Sequence, residues 1–438
     1  MQRSLMNDLI AWKTSRNRKP LLIYGARQTG KSWLMEAFGA SHYDNVASID
    51  FTDNERMRAL FAGDFDIPRI LSRLSIESNT PIIPEKTLII LDEIQEVPRA
   101  LTSLKYFYQK APEYHVIAAG SLLGIAIHEE TSFPVGKVDS FTLHPMSFYE
   151  FLVAMGRETL AHAVAEADFE QLQPVFSDEL AAYLKEYLFV GGMPEVVADY
   201  SLQRDFQEAR RLQRNILRDY DRDFSKHIPA RILERARLVW ASIPAQLSKE
   251  NKKFIYGAVR QGSRAKDLEE AIQWLVDYGA LCKVPQLSTV RAPLKSYASL
   301  TDFKLYVLDV GLLGALSNLD ASLLLRGSEL FTEFKGSLAE QYVEQQLEAH
   351  GFEPSYWSSP TSSNEIDFVI DYRDKAVPLE VKANENLRSK SLKAAHEKLS
   401  LPVSLRTSLS GYRDEGWLIN IPLWAIGSIR KILTDADK

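Results

Sequence analysis

A glycine-rich loop between an apolar strand and a helix constrains this chain more than any other feature. Residues 21–24 are an unbroken apolar run, Leu-Leu-Ile-Tyr, which is typical of a buried parallel strand. Residues 25–32, Gly-Ala-Arg-Gln-Thr-Gly-Lys-Ser, match the pattern G-x-x-x-x-G-K-[ST], and the residues after them favour a helix. Loop N–H groups and the helix N-terminus then converge on one anion, so the stretch predicts a phosphate-binding loop. The alternative is a chance glycine-rich turn.

The loop pattern predicts a role for each of its residues. We expect Lys31 to contact the β and γ phosphates of ATP, and the Ser32 hydroxyl to ligate Mg²⁺. The other residues that we expect around the nucleotide are Gly25, Ala26, Arg27, Gln28, Thr29, Gly30 and Trp33.

Two later strand ends supply further candidates for this site. The apolar run at residues 87–91 ends in Asp92 and Glu93, which predicts Asp92 in the Mg²⁺ shell and Glu93 beside the water that attacks the γ-phosphate. Acids after a strand also serve as helix caps, which is the alternative. Another apolar strand ends in Gly120-Ser121, which places Ser121 where the γ-phosphate would be sensed, although Gly-Ser is also an ordinary turn.

Composition limits the class of protein. A chain of 438 residues is too long for one ordinary core, and it has no apolar stretch of the length that spans a membrane. Residues 1–20 favour an amphipathic helix over a signal peptide. The only cysteine, Cys282, excludes intrachain disulfides and cysteine-clustered zinc sites, and it fits the cytoplasm. The eight histidines show no metal-binding spacing.

The order of apolar and helical stretches predicts an α/β protein of several domains. Strands alternate with helices from residue 21 to about 145, which predicts a mostly parallel sheet covered on both faces. Helices followed by a short hairpin, with a strand-like stretch at 294–298, suggest a winged helix that suits protein contacts as well as DNA. The expected domains are a P-loop core at 1–152, a helical region at 153–230, a winged-helix-like domain at 231–300 and a terminal domain at 301–438.

One segment departs in charge from the rest of the chain. Residues 201–291 carry 12 arginines and 6 lysines against 11 acidic residues, whereas the whole chain has a net charge of −6. Such a basic segment is typical of a nucleic-acid surface. Aspartates interleaved with its arginines at 218–223 equally favour a solvated helix face of mixed charge.

A late hairpin predicts a second cluster of acids. If its loop is Arg373-Asp374, then Asp367 and Glu380 are cross-strand neighbours with Cβ atoms about 5 Å apart. Carboxylates that close repel unless a cation lies between them, and their oxygens suit Mg²⁺ or Mn²⁺. Lys382 lies on the same strand face as Glu380, where it would polarise a water. A one-residue slip would separate the acids, and an exposed polar edge is the alternative.

Together these motifs resemble a widespread prokaryotic family of AAA ATPases with a C-terminal domain of unknown function similar to PD-(D/E)xK nucleases. The resemblance rests on residues 25–32, 91–95 and 191–195 and on Glu340, Asp367, Glu380 and Lys382. It implies ATP hydrolysis on an AAA core, a winged-helix segment and a restriction-endonuclease-like terminal fold. It also implies metal ligation by Asp367 and Glu380, assistance from Lys382, and a site completed by Glu340, although Glu340 also suits a capping box with Ser337. Lys137 stands where an arginine finger would be expected.

Two functions are compatible with these residues. The first is an Mg²⁺-dependent ATPase whose nucleotide state controls a DNA-directed C-terminal module, which would cleave DNA by metal-assisted attack of water. The second is an ATP-driven switch or scaffold whose nuclease-like domain is inactive and binds DNA, a protein partner or another copy of the chain. The two acids and the lysine favour the first, whereas 13 basic against 16 acidic residues in 331–438 favour the second.

Overall fold

The chain forms two compact units. The computed structural model describes residues 2–121, 133–249, 252–321, 332–359, 364–383, 390–399 and 401–437. The first unit comprises Gln2–His144 and Asp277–Ala280, and the second comprises Pro145–Val276 and Leu281–Lys438. The predicted boundary between residues 300 and 301 falls inside the strand Ala298–Val307 of the second unit. The four-domain division stays a prediction.

A parallel five-stranded sheet forms the centre of the first unit. Its strands are β1 (Leu21–Tyr24), β2 (Asn45–Asp50), β3 (Thr87–Asp92), β4 (His115–Ala119) and β5 (Asp139–Thr142). They lie in the order β2-β3-β4-β1-β5, and each described pair is parallel. The helices of this unit are Leu5–Thr14, Lys31–His42, Glu55–Ala62, Ile67–Glu77 and Pro98–Lys110. The α/β class and the parallel sheet predicted from the sequence are confirmed.

Apolar residues cover both faces of this sheet. Along β1, Leu22 packs into one cluster with Phe61 and Phe107, whereas Leu21 and Ile23 pack into a second cluster on the opposite face. Successive strand residues point to opposite faces, so a strand that is buried on both sides must be apolar throughout. This requirement explains the unbroken apolar runs in the sequence.

The second unit begins with a series of helices. Ser147 caps the first of them through a capping box with Glu150. No described helix is both long and apolar enough to cross a membrane. The helices are Phe148–Ala154, Glu158–Ala165, Phe169–Leu172, Ser177–Val190, Pro194–Gln203, Phe206–His227, Ala230–Leu247, Tyr256–Val259, Ala265–Asp277, Val310–Leu316, Thr332–Ala349, Lys390–Leu399 and Ile429–Ala436.

A mixed eight-stranded sheet forms the rest of the second unit. Its strands are β6 (Leu281–Leu287), β7 (Ala298–Val307), β8 (Ser355–Ser358), β9 (Glu365–Tyr372), β10 (Lys375–Val381), β11 (Ser404–Ser408), β12 (Arg413–Asp414) and β13 (Leu418–Pro422). They lie in the order β12-β13-β11-β10-β9-β8-β6-β7. The β6–β7 hairpin expected in a winged helix is therefore part of this larger sheet. The strand predicted at 294–298 is wrong in its first part, because Leu294–Tyr297 form a 3₁₀ turn directly after Pro293.

A buried aspartate explains the Gly191-Gly192 pair. The Asp309 carboxylate accepts hydrogen bonds from the Gly192 N–H (2.5 Å), the Leu312 N–H (3.0 Å) and the Gln345 side-chain amide (3.1 Å). A Cβ on Gly191, which has φ +74°, would collide with this carboxylate. The glycines are thus required by close packing inside the second unit.

Candidate functional site

The loop after β1 has the backbone that a phosphate site requires. Gly30 has φ 91° at the start of the helix Lys31–His42, a left-handed conformation that favours glycine. Gly25 has φ +144°, and a Cβ there would collide with the Leu143 carbonyl oxygen. Glycine is therefore needed at both ends of the loop.

Lys31 is held by its own loop. Its Nζ donates hydrogen bonds to the carbonyl oxygens of Gly25 (2.8 Å) and Ala26 (2.9 Å). Burial lowers the pKa of Lys31 to about 8, although the carboxylates of Glu93 and Asp92 act in the opposite direction. The ammonium thus already lies over the loop where phosphates would bind.

Ser32 and Asp92 are in direct contact. The Ser32 hydroxyl donates a short hydrogen bond to the Asp92 carboxylate at the end of β3. Burial raises the pKa of Asp92, while the Ser32 hydrogen bond lowers it. A hydroxyl and a carboxylate are the hard oxygen donors that Mg²⁺ prefers, so the donor set fits this cation.

Glu93 is held by polar groups from two segments. It accepts hydrogen bonds from the Gln95 side-chain amide (2.6 Å) and from the Ser121 hydroxyl (3.1 Å) at the end of β4. Arg27 Nε in turn donates to the Ser121 hydroxyl at 3.4 Å. The structure therefore brings together Arg27, Glu93 and Ser121, three of the residues predicted around the nucleotide.

Two residues of this region were given no role by the sequence analysis. Gln95 holds Glu93, and although it belongs to the motif at residues 91–95, no contact was predicted for it. Arg3 is buried and donates to the carbonyl oxygens of Thr29 (2.8 Å) and His144 (2.6 Å). No pattern in the sequence connects Arg3 with the loop. Both side chains position the site from outside the phosphate-binding motif.

The remaining predicted loop residues have mainly structural contacts. The buried Thr29 hydroxyl donates to the Ala26 carbonyl oxygen at 2.9 Å. Gln28 has φ 63°, and Trp33 is about half exposed, at 48%. Their predicted contacts with a nucleotide stay predictions.

The predicted C-terminal residues lie close to one another in the second unit. Pairs from Tyr372–Lys375 to Phe368–Leu379 join β9 and β10 in the register expected for a loop of Arg373-Asp374. The Asp367 carboxylate accepts a hydrogen bond from the Val381 N–H at 2.8 Å. The hairpin register assumed in the sequence analysis is therefore present.

Glu380 pairs with the lysine that the sequence placed beside it. Lys382 Nζ lies 2.8 Å from Glu380 Oε1. The other oxygen of Glu380, Oε2, is buried without a hydrogen-bond partner among the described residues. An unpartnered buried carboxylate oxygen is costly, so this atom is free to accept a ligand.

Glu340 is neutralised by two lysines that the sequence analysis missed. Lys252 forms a short ion pair with Glu340, and Lys304 Nζ lies 3.8 Å from the same carboxylate. Lys304 is fully buried and also pairs with Glu365. Burial alone would raise the pKa of Glu340, but Lys252 and Lys304 hold it below its usual value.

Asp367 has the opposite electrostatic environment. Burial raises its pKa to about 7, and the charge of Glu340 adds to this shift, while Lys304 and Lys252 act against it. Within the described ranges, Glu340, Asp367 and Glu380 do not come close enough together to form a three-carboxylate metal group. Lysine ammonium groups balance part of the acidic charge instead.

The basic segment contains many ion pairs. Arg211 pairs with Glu208, and Arg237 pairs with Asp221 at 2.8 Å. Arg222 pairs with Asp219 at 3.1 Å. These contacts match the expected solvated face of mixed charge, and nucleic-acid binding by this segment stays a prediction.

Comparison with protein families divides the chain into three parts. Residues 17–152 match the model of the AAA domain, residues 181–323 match a domain of unknown function (DUF8612), and residues 335–424 match another (DUF4143). None of the curated proteins matches the chain. The AAA match supports an AAA-family ATPase, and a P-loop fold of this kind implies nucleotide binding. The C-terminal domain expected from the resemblance is present as DUF4143.

Several solved structures are distantly similar to this chain. A Walker-type ATPase of Pyrococcus abyssi is 15% identical, with 72% of this chain and 95% of that chain covered and a TM-score of 0.45. The Aeropyrum pernix ORC1 protein in complex with DNA is 13% identical, with 72% and 90% covered and a TM-score of 0.28. The Thermotoga maritima RuvB branch migration motor is 13% identical, with 65% and 90% covered and a TM-score of 0.30. At these scores the similarities carry no information about function.

Proposed function

We propose that this protein hydrolyses ATP with Mg²⁺ and that its nucleotide state controls a DNA-directed C-terminal module. The observation that carries the proposal is the contact between Ser32 and Asp92, with Lys31 over the loop and Glu93 at the next position. These groups supply a cation for the phosphates, two oxygen ligands for a metal and a carboxylate for the attacking water. The single cysteine fits a cytoplasmic location.

Each side chain has a distinct role in the proposed reaction. Lys31 leaves its loop carbonyl oxygens and contacts the β and γ phosphates. Ser32 and Asp92 would hold Mg²⁺, which supplies positive charge to the phosphate oxygens. Glu93 orients the attacking water, and Ser121 contacts the γ-phosphate from the end of β4. Gln95 and Ser121 both donate hydrogen bonds to Glu93 and so position its carboxylate for this role.

The C-terminal cluster is the proposed DNA-directed site. Asp367 lies on β9, Glu380 lies on β10 and Lys382 directly follows β10. Glu380 keeps one oxygen unpartnered among the described residues. Cleavage would use Asp367 and Glu380 as ligands of Mg²⁺ or Mn²⁺ and Lys382 beside the attacking water. Glu340 would complete the site from the helix Thr332–Ala349.

A second candidate is a switch whose C-terminal domain does not cleave DNA. It is favoured by Lys252 and Lys304, which neutralise Glu340 where a cleaving site would place metal charge. On this proposal the domain binds DNA, a protein partner or another copy of the chain, and ATP hydrolysis resets that binding.

One experiment separates these candidates. The purified protein is incubated with ATP and Mg²⁺ or Mn²⁺, with and without duplex or single-stranded DNA, while phosphate release and DNA length are followed together. Phosphate release that is lost in Lys31→Ala supports ATP hydrolysis. DNA shortening that is lost in Asp367→Asn, with phosphate release unchanged, supports cleavage. Intact DNA in both metals supports the switch, and the absence of phosphate release under every condition contradicts the ATPase proposal.

Glu93→Gln tests the assignment of the water-orienting residue. This variant should bind ATP but hydrolyse it about 10²–10⁴-fold more slowly, because a positioned base contributes that much. Glu96→Gln is the matched control, since Glu96 lies in the 3₁₀ turn that directly follows Glu93 and pairs with Arg58 at 3.7 Å. Equal hydrolysis by wild type and Glu93→Gln would contradict the assigned role.

A further inference from the structure

Two glutamates and the single cysteine of the chain meet in the second unit, outside the sites described above. Cys282 lies on β6, and Glu344 and Glu348 are four residues apart on the helix Thr332–Ala349, so they share one helix face. One ligand atom from each of the three side chains lies within 4.8 Å of the other two. The Cys282 thiol donates to Glu348 Oε2 at 3.2 Å. A thiol and two carboxyl groups thus converge from separate parts of the sequence.

Glu344 is the unusual member of this cluster. Its side chain is fully buried, at 0% exposure, and neither carboxylate oxygen has a hydrogen-bond partner of normal geometry among the described residues. Burying a polar group without a hydrogen-bond partner is unfavourable. Its neighbours Glu348 and Cys282 supply no positive charge. No side-chain cation among the described residues therefore balances this carboxyl group.

Another buried acid on the same helix, Glu340, does have positively charged partners. Glu340, one turn before Glu344, is paired with Lys252 and Lys304. In the described part of the chain, Glu344 has no such ion pair. Among the described residues, Cys282, Glu344 and Glu348 form the one group of three or more potential ligands that lie close enough together to hold a metal ion. Of these two buried acids on one helix, Glu340 is therefore balanced by lysines and Glu344 is not.

We propose that Cys282, Glu344 and Glu348 bind a divalent transition-metal ion of the Zn²⁺ type. A thiolate ligand selects Zn²⁺ or Co²⁺ over the hard cations Mg²⁺ and Ca²⁺, and Zn²⁺ also accepts carboxylate oxygens. Cys282 and Glu348 are partly exposed, which gives an ion access from solvent. Three protein ligands leave a fourth position for water.

The required geometry is close to the one observed. Tetrahedral Zn²⁺ with bonds of about 2.0–2.3 Å places its ligand atoms roughly 3.5 Å apart. The ligand atoms of the cluster already lie within 4.8 Å of one another, and the Cys282–Glu348 contact is 3.2 Å. Shifts of about 1 Å in the positions of the ligand atoms are therefore enough to form the tetrahedral site.

Cobalt titration tests the proposal directly. Co²⁺ is added to the reduced, purified full chain without nucleotide, and thiolate-to-cobalt charge-transfer absorption is recorded. Because Cys282 is the only cysteine, any such absorption must come from it. We expect saturation at one equivalent, competition by Zn²⁺ and complete loss of the absorption in Cys282→Ser. Absence of the absorption in the wild type would overturn the proposal.

Glutamate variants test the other two ligands. Glu344→Gln and Glu348→Gln should each weaken Co²⁺ binding by about tenfold or more. Glu353→Gln is the matched control, because this exposed glutamate pairs with Lys295 outside the cluster. Far-UV circular dichroism checks folding, and Glu348→Gln, at a partly exposed position, decides the question if Glu344→Gln does not fold. Unchanged Co²⁺ affinity in a folded glutamate variant would overturn the proposal and leave a protonated carboxyl pair beside a thiol.

Discussion

Ser32 donates its hydroxyl hydrogen to the Asp92 carboxylate across 60 residues of sequence. The bond connects the first turn of the helix after the loop with the end of β3. Each group offers an oxygen of the kind that a hard cation prefers, so the contact places two potential ligands side by side.

Ser32→Ala tests this pair. We expect the variant to bind ATP but to hydrolyse it about 10²-fold more slowly at fixed Mg²⁺, because the lost ligand acts most strongly on transition-state charge. Ser41→Ala is the matched control on the same helix, where the Ser41 hydroxyl donates to the Ala37 carbonyl oxygen at 2.8 Å. Phosphate-release rates across a Mg²⁺ titration provide the measurement. Equal rates for the two variants would contradict the ligand role of Ser32.

The pKa of Lys31, lowered to about 8 by burial, predicts how ATP affinity depends on pH. The negative charge of the phosphates raises the pKa of a lysine that contacts them. Lys31 therefore stays protonated above pH 8 in the ATP complex but loses its proton in the free protein. Affinity should be flat below pH 8 and fall by up to about tenfold per pH unit above it. Calorimetry between pH 7 and 9.5, in buffers of different ionisation heat, would record the proton uptake. The same slope in Lys31→Met would refute the assignment to Lys31.

Removal of the Arg3 guanidinium should loosen the phosphate-binding loop. Arg3 donates to the Thr29 and His144 carbonyl oxygens, and hydrogen bonds from charged groups contribute about 1.5–3 kcal/mol each. We expect Arg3→Ala to lower the free energy of unfolding by about 3–6 kcal/mol, the sum of the two bonds, and to weaken ATP binding. Urea unfolding and ATP titration measure the two effects. Arg16→Ala, at an exposed position of the same segment, should change neither quantity.

Because of His115, we expect the free energy of unfolding of the first unit to fall at acidic pH. It is buried at 4% exposure, its Nδ1 lies 2.6 Å from the Tyr43 hydroxyl, and burial lowers its pKa to about 4. The folded pKa lies below the unfolded value, so the stabilisation is complete above pH 6.5. It is lost as pH falls towards 4, by up to about 1.4 kcal/mol per pH unit.

Comparison with His115→Gln isolates this contribution from that of the acidic residues. Urea unfolding at pH 7.5, 6, 5 and 4.5 gives the free energies for both proteins. The difference between wild type and variant should shrink with acidity, because glutamine does not titrate. A difference that stays constant across this range would show that His115 does not control the acid limit.

The sequence predicts best what depends on neighbouring residues. The register of β9 and β10 follows from the two-residue loop, in which Arg373 takes φ 54°, and the observed pairs agree with it. The phosphate-binding loop is similarly local, because its glycines, lysine and serine are contiguous. These features were predicted without any knowledge of tertiary packing.

Contacts between distant segments could not be predicted in this way. Lys252 lies 88 residues from Glu340, and Lys304 lies 36 residues from it, so no spacing rule connects them. Arg3 donates to the Thr29 carbonyl oxygen across 26 residues of sequence, which again no spacing rule connects. The strand expected at 294–298 begins only at Ala298, because Leu294–Tyr297 form a 3₁₀ turn after Pro293. Intrinsic propensity alone does not decide between a strand and such a turn.

The hydrogen bond from Gly192 to Asp309 bears on how chains of this kind diversify. Its donor lies between two helices, whereas its acceptor follows β7 and also binds Gln345. A C-terminal sheet recruited from another gene would have to bring its own buried acceptor for that N–H group, since an orphaned donor costs about 1–3 kcal/mol. Recombination near residue 300 would therefore yield unstable hybrids.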